Sequence, residues 1–388
     1  MSEKVLLVLG GYGGAGFPTA RLLLKETAVR VVIGGRNRDR AEKAAHDLNA
    51  EFPGGRVSAR TADASDEASL GRAFAGVTMV VVCSATVRHA ERIARAALGA
   101  GADYLDIYYS QSTISLLRKL APSVREAGRC FITQAGCHPG LPGVLVRRAA
   151  REFTHMRRAI VGMAIRVPYL GSTDSVAEFF EEMSDYRTDI FKDGSWRAGG
   201  YRDMRKIDFG AGFGVRTCYP MYLEEVRELP ERFGLQEAGV YAAGFNWFLD
   251  WLVMPLGLML GKLRKGLGVR WLARMANWGI GAFSRPPYGI VFKLEAEGVI
   301  NGADATLAIT VRHEDGYALT AIPTVACLLQ YLDGGIGRSA GETSAQIEPG
   351  LHLMALAVEP DRLLRDMTRM GADVEIHPDS ARLGTMSS

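Results

Sequence analysis

The sequence predicts an α/β protein: an N-terminal doubly wound parallel sheet, then a second α+β domain on a largely antiparallel sheet. Three observations carry that prediction. Through the first third of the chain, short apolar runs alternate with helical stretches, the pattern of a parallel sheet covered by helices on both faces. The run Met79–Cys83 (MVVVC) is apolar throughout, as a strand buried on both sides must be. Past Gly136 the apolar runs lengthen, and the junction Ala135–Gly143 (AGCHPGLPG) is dense in Gly and Pro, which reads as a rigid turn.

In chain order, Val5–Leu9 reads as a strand and Phe17–Lys25 as a helix, followed by the strand Val29–Ile33 and the helix Arg38–Asn49. Val57–Thr61 is a third strand, Ala68–Phe74 a short helix and Met79–Cys83 a fourth strand. The helix His89–Gly99, the strand Tyr104–Ile107, the helix Thr113–Glu126 and the strand Cys130–Gln134 complete the alternation. Beyond it, Arg158–Val167, Tyr288–Val299 and Thr306–Arg312 read as longer strands with helical material between them. Glu314–Gly316 reads as a hairpin turn, and Leu351–Gly371 as one or two closing helices. The expected domains are therefore 1–135 and 136–388, with C-terminal helices packing back on the first domain.

Composition narrows the function classes. Of 388 residues, 48% are hydrophobic and 23% charged, which is ordinary for a folded soluble protein and too long for one simple core. A net charge of +3 argues against nucleic acid as a partner. The five cysteines include no C-x-x-C pair and the histidines do not cluster, so neither a metal site nor a disulfide framework is expected. The start, MSEKVLLVLGG, carries charge at once and does not read as a secretory signal, so the cytoplasm is the expected compartment. The tail Ala381–Ser388 reads as loose.

Gly11-Tyr12-Gly13-Gly14-Ala15-Gly16 satisfies G-x-G-x-x-G, with Gly10 before it and Phe17 opening the helix. The pattern alone is weak, but here it joins an apolar strand to a helix in the first βαβ unit, the setting of a Rossmann-type dinucleotide site. Glycines there make the tight turn, let a pyrophosphate approach backbone and let helix pack close to strand, while free N–H groups at the helix start meet the phosphates. At the end of the second strand an NAD site usually carries an acid for the ribose 2′-hydroxyl. This chain has Arg36 and Arg38 instead, which suit a 2′-phosphate, so NADP is expected over NAD. Asp63 and Ala64, after the third strand, are placed for the adenine, and Ser84 and Ala85, after the fourth, for the pyrophosphate and nicotinamide ribose.

Four stretches together resemble the saccharopine dehydrogenase-like (saccharopine reductase-like) oxidoreductases: VLLVLGGYGGAGFPTARLL, VVVCSATVRHAERIARAALGAGADYLDI, QAGCHPGLPG and HEDGYALTAIPTVACLLQYLDG. The middle, from about Asp174 to Arg285, matches only loosely. The resemblance implies an NAD(P)-binding Rossmann domain, a second domain that buries a small-molecule substrate and often makes a homodimer, and hydride transfer. His138 stands where the family's turn carries Asp before Pro-Gly, which argues against an amino-acid-like amine substrate.

Hydride transfer needs a placed acceptor carbon and a proton source. Candidate catalytic groups after the fifth and sixth strands are His138, Tyr108 and Tyr109. His138 titrates in the useful range and leads as acid or orienter, against the alternative of a turn histidine that caps backbone. Cys137 lacks an activating partner in the sequence.

The run Gly239–Gly261 is apolar apart from Asn246 and Asp250, and is followed by Lys262, Arg264, Lys265, Arg270 and Arg274. Asp250 and Pro255 in its middle argue against a spanning helix. Three readings stay open: a core or dimer-interface helix, a peripheral membrane contact through residues 239–274, and an apolar wall for a lipid-like substrate. The leading expectation is an NADP-dependent oxidoreductase acting on a C=N, C=C or C=O group of a bulky, apolar small molecule. Its alternatives are a membrane-associated or scaffold protein that keeps the nucleotide fold without turnover, and an enzyme that holds NADP tightly for a redox-neutral reaction.

Overall fold

The computed structural model describes residues 4–182, 187–210, 212–264, 266–337 and 348–379. Lys265 and the tail from Ala381 lie outside the described residues. By internal contacts the chain falls into two compact units, Met1–Leu141 with Tyr317–Met370, and Pro142–Gly316 with Gly371–Ser388. The sequence predicts one division, at 135/136, with C-terminal helices packing back on the first domain; here 317–370 belongs to the same unit as the N-terminal part.

The first unit is built from β1 (Val5–Leu9), α1 (Gly16–Glu26), β2 (Arg30–Gly35), α2 (Arg38–Glu51), β3 (Val57–Thr61), α3 (Glu67–Phe74), β4 (Met79–Val82), α4 (Ala90–Gly99), β5 (Asp103–Asp106), α5 (Ser112–Glu126) and β6 (Cys130–Thr133). Its sheet is parallel. The central strands are dry: every residue of β4 is buried, as are Leu6–Leu9 of β1. Fully burying such side chains contributes about 1.5–3 kcal/mol each. Helices start where short polar side chains cap them: Asn37 Oδ1 accepts from the Arg40 N–H at 2.9 Å, and Asp66 Oδ1 from the Ala68 N–H at 2.9 Å.

The second unit contains most of α6 (Leu141–Ala150), then β7 (His155–Arg166), α7 (Thr173–Glu182), β8 (Asp189–Lys192), β9 (Ser195–Ala198), β10 (Arg205–Asp208), β11 (Val215–Met221), α8 (Leu229–Phe233) and β12 (Glu237–Ala243). A helix over residues 247–263 follows, a π turn (Leu249–Val253) running into α9 (Met254–Leu263). Then come α10 (Val269–Phe283), β13 (Gly289–Ile300) and β14 (Ala303–His313). The chain closes with α11 (Gly316–Leu332), β15 (Gly350–Leu353), α12 (Met354–Ala357), α13 (Pro360–Arg369) and β16 (Asp373–Asp379).

The first sheet runs β15-β6-β5-β4-β1-β2-β3 and the second β10-β11-β12-β7-β13-β14-β16, with β8 and β9 off β12. In the second sheet only β12 and β7 pair in parallel; the other neighbours are antiparallel. Arg158 of β7 stands opposite Glu237 and Glu297 on its two neighbours and forms an ion pair with each. Opposite charges across a ladder favour that register.

Three expectations are corrected. Leu351–Gly371 opens with a strand, β15, because its four residues pair in parallel with β6, a long-range partner that no local pattern reveals. Residues 314–316 make no hairpin turn: Gly316 opens α11, with the Asp315 N–H donating to His313 Nδ1 at 2.9 Å. Residues 239–243 of the apolar run belong to β12 and not to a helix, and strands β8 to β12 stand with the helical material between β7 and β13.

Candidate functional site

The predicted site residues gather on one edge of the first sheet, the C-terminal ends of its parallel strands. Along the strand order β3-β2-β1-β4-β5-β6 stand, in turn, Asp63 with Ala64, Arg36 with Arg38, Gly10 to Phe17, Ser84 with Ala85, Tyr108 with Tyr109, and His138. The chain reverses direction across the sheet between β1 and β4, the switch point where ligands of such sheets bind.

At that point the backbone closes into a cradle. The Gly10 N–H donates to Gly34 O and the Gly13 N–H to Gly10 O, both at 2.8 Å. A Cβ on Gly16 would stand 2.2 Å from Gly10 O, and one on Gly10, whose φ is +84°, 2.7 Å from Ser84 Cβ. These two positions therefore admit only glycine. The N–H groups of Gly14, Ala15 and Gly16 find no acceptor among the described residues, and the first turn of α1 carries no acid and no side-chain cap. Unclaimed amides at a helix N-terminus are what an anionic phosphate requires. Tyr317, in the first turn of α11, packs its ring on Gly14, 2.6 Å from where a Cβ would be.

Past β2 stand Arg36, Arg38 and Arg40, and the last of them packs on Tyr12. Its ring covers Gly35, and its hydroxyl accepts the Asn37 N–H at 3.1 Å. The Arg40 guanidinium lies 4.6 Å over that ring. Arg40 escaped the sequence reading, although the alternation R-N-R-D-R was its signal. Arg38 pairs with Glu42 one turn on at 2.7 Å, fully exposed, and that carboxylate raises its pKa. Such an exposed pair yields readily to a phosphate. Asp63 is held below the usual carboxylate range, chiefly by the Ser65 N–H and hydroxyl, with Arg36 and His89 adding to it. Ala64 is buried and Ala85 exposed.

A chain of hydroxyls links the loop after β4 to the loop after β5. Ser84 Oγ lies 3.0 Å from Thr86 Oγ1, which lies 2.8 Å from Tyr108 Oη. Thr86 was not anticipated. Tyr108 is 3% exposed and Asp106 fully buried, with Asp106 Oδ1 accepting from the N–H groups of Tyr108 and Gln134 and from the Thr133 hydroxyl. Gln134 has φ +57°, and both polar atoms of its buried carboxamide lack a partner among the described residues. The next turn folds on itself through the Gly136 N–H donating to Pro139 O, and α11 holds it: the Thr324 hydroxyl donates to Ala135 O at 2.6 Å. His138 stacks on Tyr109 with ring centroids 5.6 Å apart. Burial pushes the Cys137 thiol up to about 11, so it is no thiolate.

Two of these groups titrate in opposite senses. Burial raises Asp106 to about 6 against donated hydrogen bonds, and burial lowers His138 to about 4. Between pH 4 and 6 the folded chain holds a proton on Asp106 that the unfolded carboxyl, at about 3.9, releases; stability from this group falls as pH rises, by about 3 kcal/mol. Over the same window the unfolded imidazole, at about 6.5, holds a proton that folded His138 lacks, so stability from this group rises with pH by about as much. The two slopes offset in the parent protein. Asp106→Asn is expected to lose stability as pH falls from 6 to 4, and His138→Gln to gain it, by urea unfolding. Equal slopes in the two variants would contradict the assignment.

Residues 6–132 match the family model described as the saccharopine dehydrogenase NADP-binding domain. Among solved structures, the chain is similar to apo histidine-tagged saccharopine dehydrogenase (L-Glu forming) from Saccharomyces cerevisiae, with TM-score 0.69 at 12% identity over 97% of this chain and 99% of that one. A short-chain type dehydrogenase/reductase from Mycobacterium ulcerans aligns over 34% of this chain and 68% of its own at 19% identity, with a TM-score of 0.29, too low to bear on the fold. No curated protein matches. Residues 6–132 are therefore similar to a saccharopine dehydrogenase NADP-binding domain, and the chain as a whole shares the fold of saccharopine dehydrogenase.

Proposed function

We propose that the protein is an NADP-dependent oxidoreductase that moves hydride to or from a C=N, C=C or C=O carbon of a bulky, apolar small molecule. The observation that carries this reading is the phosphate cradle: three unclaimed amides at the start of α1, with Arg36, Arg38 and Arg40 following β2 and Arg40 stacked on Tyr12. Gly14, Ala15 and Gly16 would hold the pyrophosphate and the arginines a 2′-phosphate. NADPH, when bound, supplies the hydride.

The chain's own residues must then place the acceptor and handle one proton. Tyr108 Oη is the inner end of the hydroxyl chain, and Thr86 Oγ1 and Ser84 Oγ can pass a proton along it by rotation of each O–H. His138, neutral at pH 7, orients through hydrogen bonding rather than serving as a cationic acid, and Tyr109 fixes its ring by stacking. His138 in place of an acid, and the aromatic rings of Tyr109 and Tyr317 on this edge, support an uncharged, apolar substrate over an amine.

The test is NADPH oxidation against a panel of apolar enones, ketones and imines, followed by loss of NADPH absorbance. Turnover with at least one class is expected. Tyr108→Phe should retain NADPH affinity and lower kcat by roughly a hundredfold. Tight NADPH binding with no consumption across the panel would favour a redox-neutral or non-catalytic role and sink this reading.

A further inference from the structure

We infer that the paired helices of the second unit, residues 247–263 and α10, form a docking face for the surface of an anionic lipid membrane. Their inner sides are spent on the protein itself. Phe248, Leu249 and Val253 meet Leu272, Ala276 and Ile280 in one buried cluster with α7. Glycines let the helices close: a Cβ on Gly279 would stand 2.3 Å from the Phe248 ring, and one on Gly257 3.0 Å from Phe180.

The outer sides remain apolar. Trp247 is 60% exposed, Trp251 76%, Trp271 52% and Trp278 61%. Trp247 and Trp251 are four residues apart, and Trp271 and Trp278 seven, so each pair shares one stripe of its helix. Of the thirteen exposed large apolar side chains among the described residues, eight fall between Trp247 and Trp278, so this is a patch and not scatter.

Charge chooses the occupant. Lys262, Arg264 and Arg274 are exposed and carry no ion pair among the described residues; Arg270 meets Asp174 of α7 only through an exposed pair at 3.3 Å. The one acid in residues 247–283, Asp250, is folded inward, accepting the Phe245 N–H at 2.8 Å over Gly244. The face is therefore aromatic and cationic, without an outward acid of its own. A second copy packed on it about a two-fold axis would set cations against cations, which is unfavourable. Indoles at headgroup depth with lysine and arginine around them suit a bilayer that carries negative charge. No helix among the described residues is long and apolar enough to cross a membrane, so the contact lies on the surface. The hydride reaction plays no part in this inference.

The experiment uses full-length protein with vesicles of phosphatidylcholine alone or with phosphatidylserine. Co-sedimentation with the anionic vesicles only, a blue shift of tryptophan emission and release by salt are expected. Arg264→Gln with Arg274→Gln should weaken partitioning roughly thirtyfold, about fivefold for each charge and squared for the pair. Trp251→Ser with Trp271→Ser should weaken it tenfold or more. Unchanged NADPH affinity in each variant shows that it is folded. No binding to anionic vesicles, or full binding by either double variant, would overturn the inference. So would a dimer in sedimentation velocity that the tryptophan variant splits, which would assign the face to a second copy. Loss of NADPH binding in the parent protein would instead strike the cofactor reading and leave this one standing.

Discussion

Gly16→Ala is expected to abolish useful NADPH binding, lowering affinity by about a hundredfold or more, and to cost the fold about 1–3 kcal/mol. The new methyl would stand 2.2 Å from Gly10 O, 2.7 Å from Gly10 C and 2.9 Å from Gly11 Cα. All three are backbone atoms, so no side chain can swing aside. The start of α1 must move outward, and with it the amides that the phosphates need. Gly13→Ala is the internal control. Its Cβ would meet only Gly10 O, at 3.1 Å, and a shift of a few tenths of an ångström accommodates it. Affinity in that variant should fall far less. Isothermal titration with NADPH, together with thermal unfolding, separates the two, and equal behaviour would contradict the cradle geometry.

The second large effect concerns cofactor choice. Arg36→Ala with Arg38→Ala and Arg40→Ala should cut NADPH affinity roughly a hundredfold while leaving NADH affinity near its parent value. Charge-assisted hydrogen bonds to a phosphate are worth about 1.5–3 kcal/mol each, and only NADPH carries the group they would meet. Arg38→Ala alone should cost least, because that guanidinium must first leave Glu42. Parallel loss of NADPH and NADH would show that the arginines support the turn and do not read the 2′-phosphate.

Much of the first unit was legible because its signals are local. The continuous apolar runs of β1 and β4 act within a few residues, and the predicted strands lie within two residues of those found. The glycine turn was legible for the same reason. Contacts made across the chain were not. β15 pairs with β6 through backbone alone, and its residues, GLHL followed by MALA, carry no alternation that distinguishes them from a helix. Tyr317 reaches Gly14 only because α11 returns to the first unit. β8, β9 and β10 are short and half exposed, with β9 almost wholly on the surface, so no periodic burial marked them. Thr86 and Gln134 follow strands as Ser84 and His138 do, but their pairing with Tyr108 and their burial beside Asp106 depend on the folded edge.

Titration calorimetry of the full-length, cofactor-free protein with NADPH and with NADH tests the central claim most directly. The account predicts saturable binding of both, with NADPH tighter by at least about tenfold, the value of one charge-assisted contact at roughly 1.4 kcal/mol. Absence of binding heat at several temperatures with either dinucleotide, or tighter binding of NADH, would contradict it.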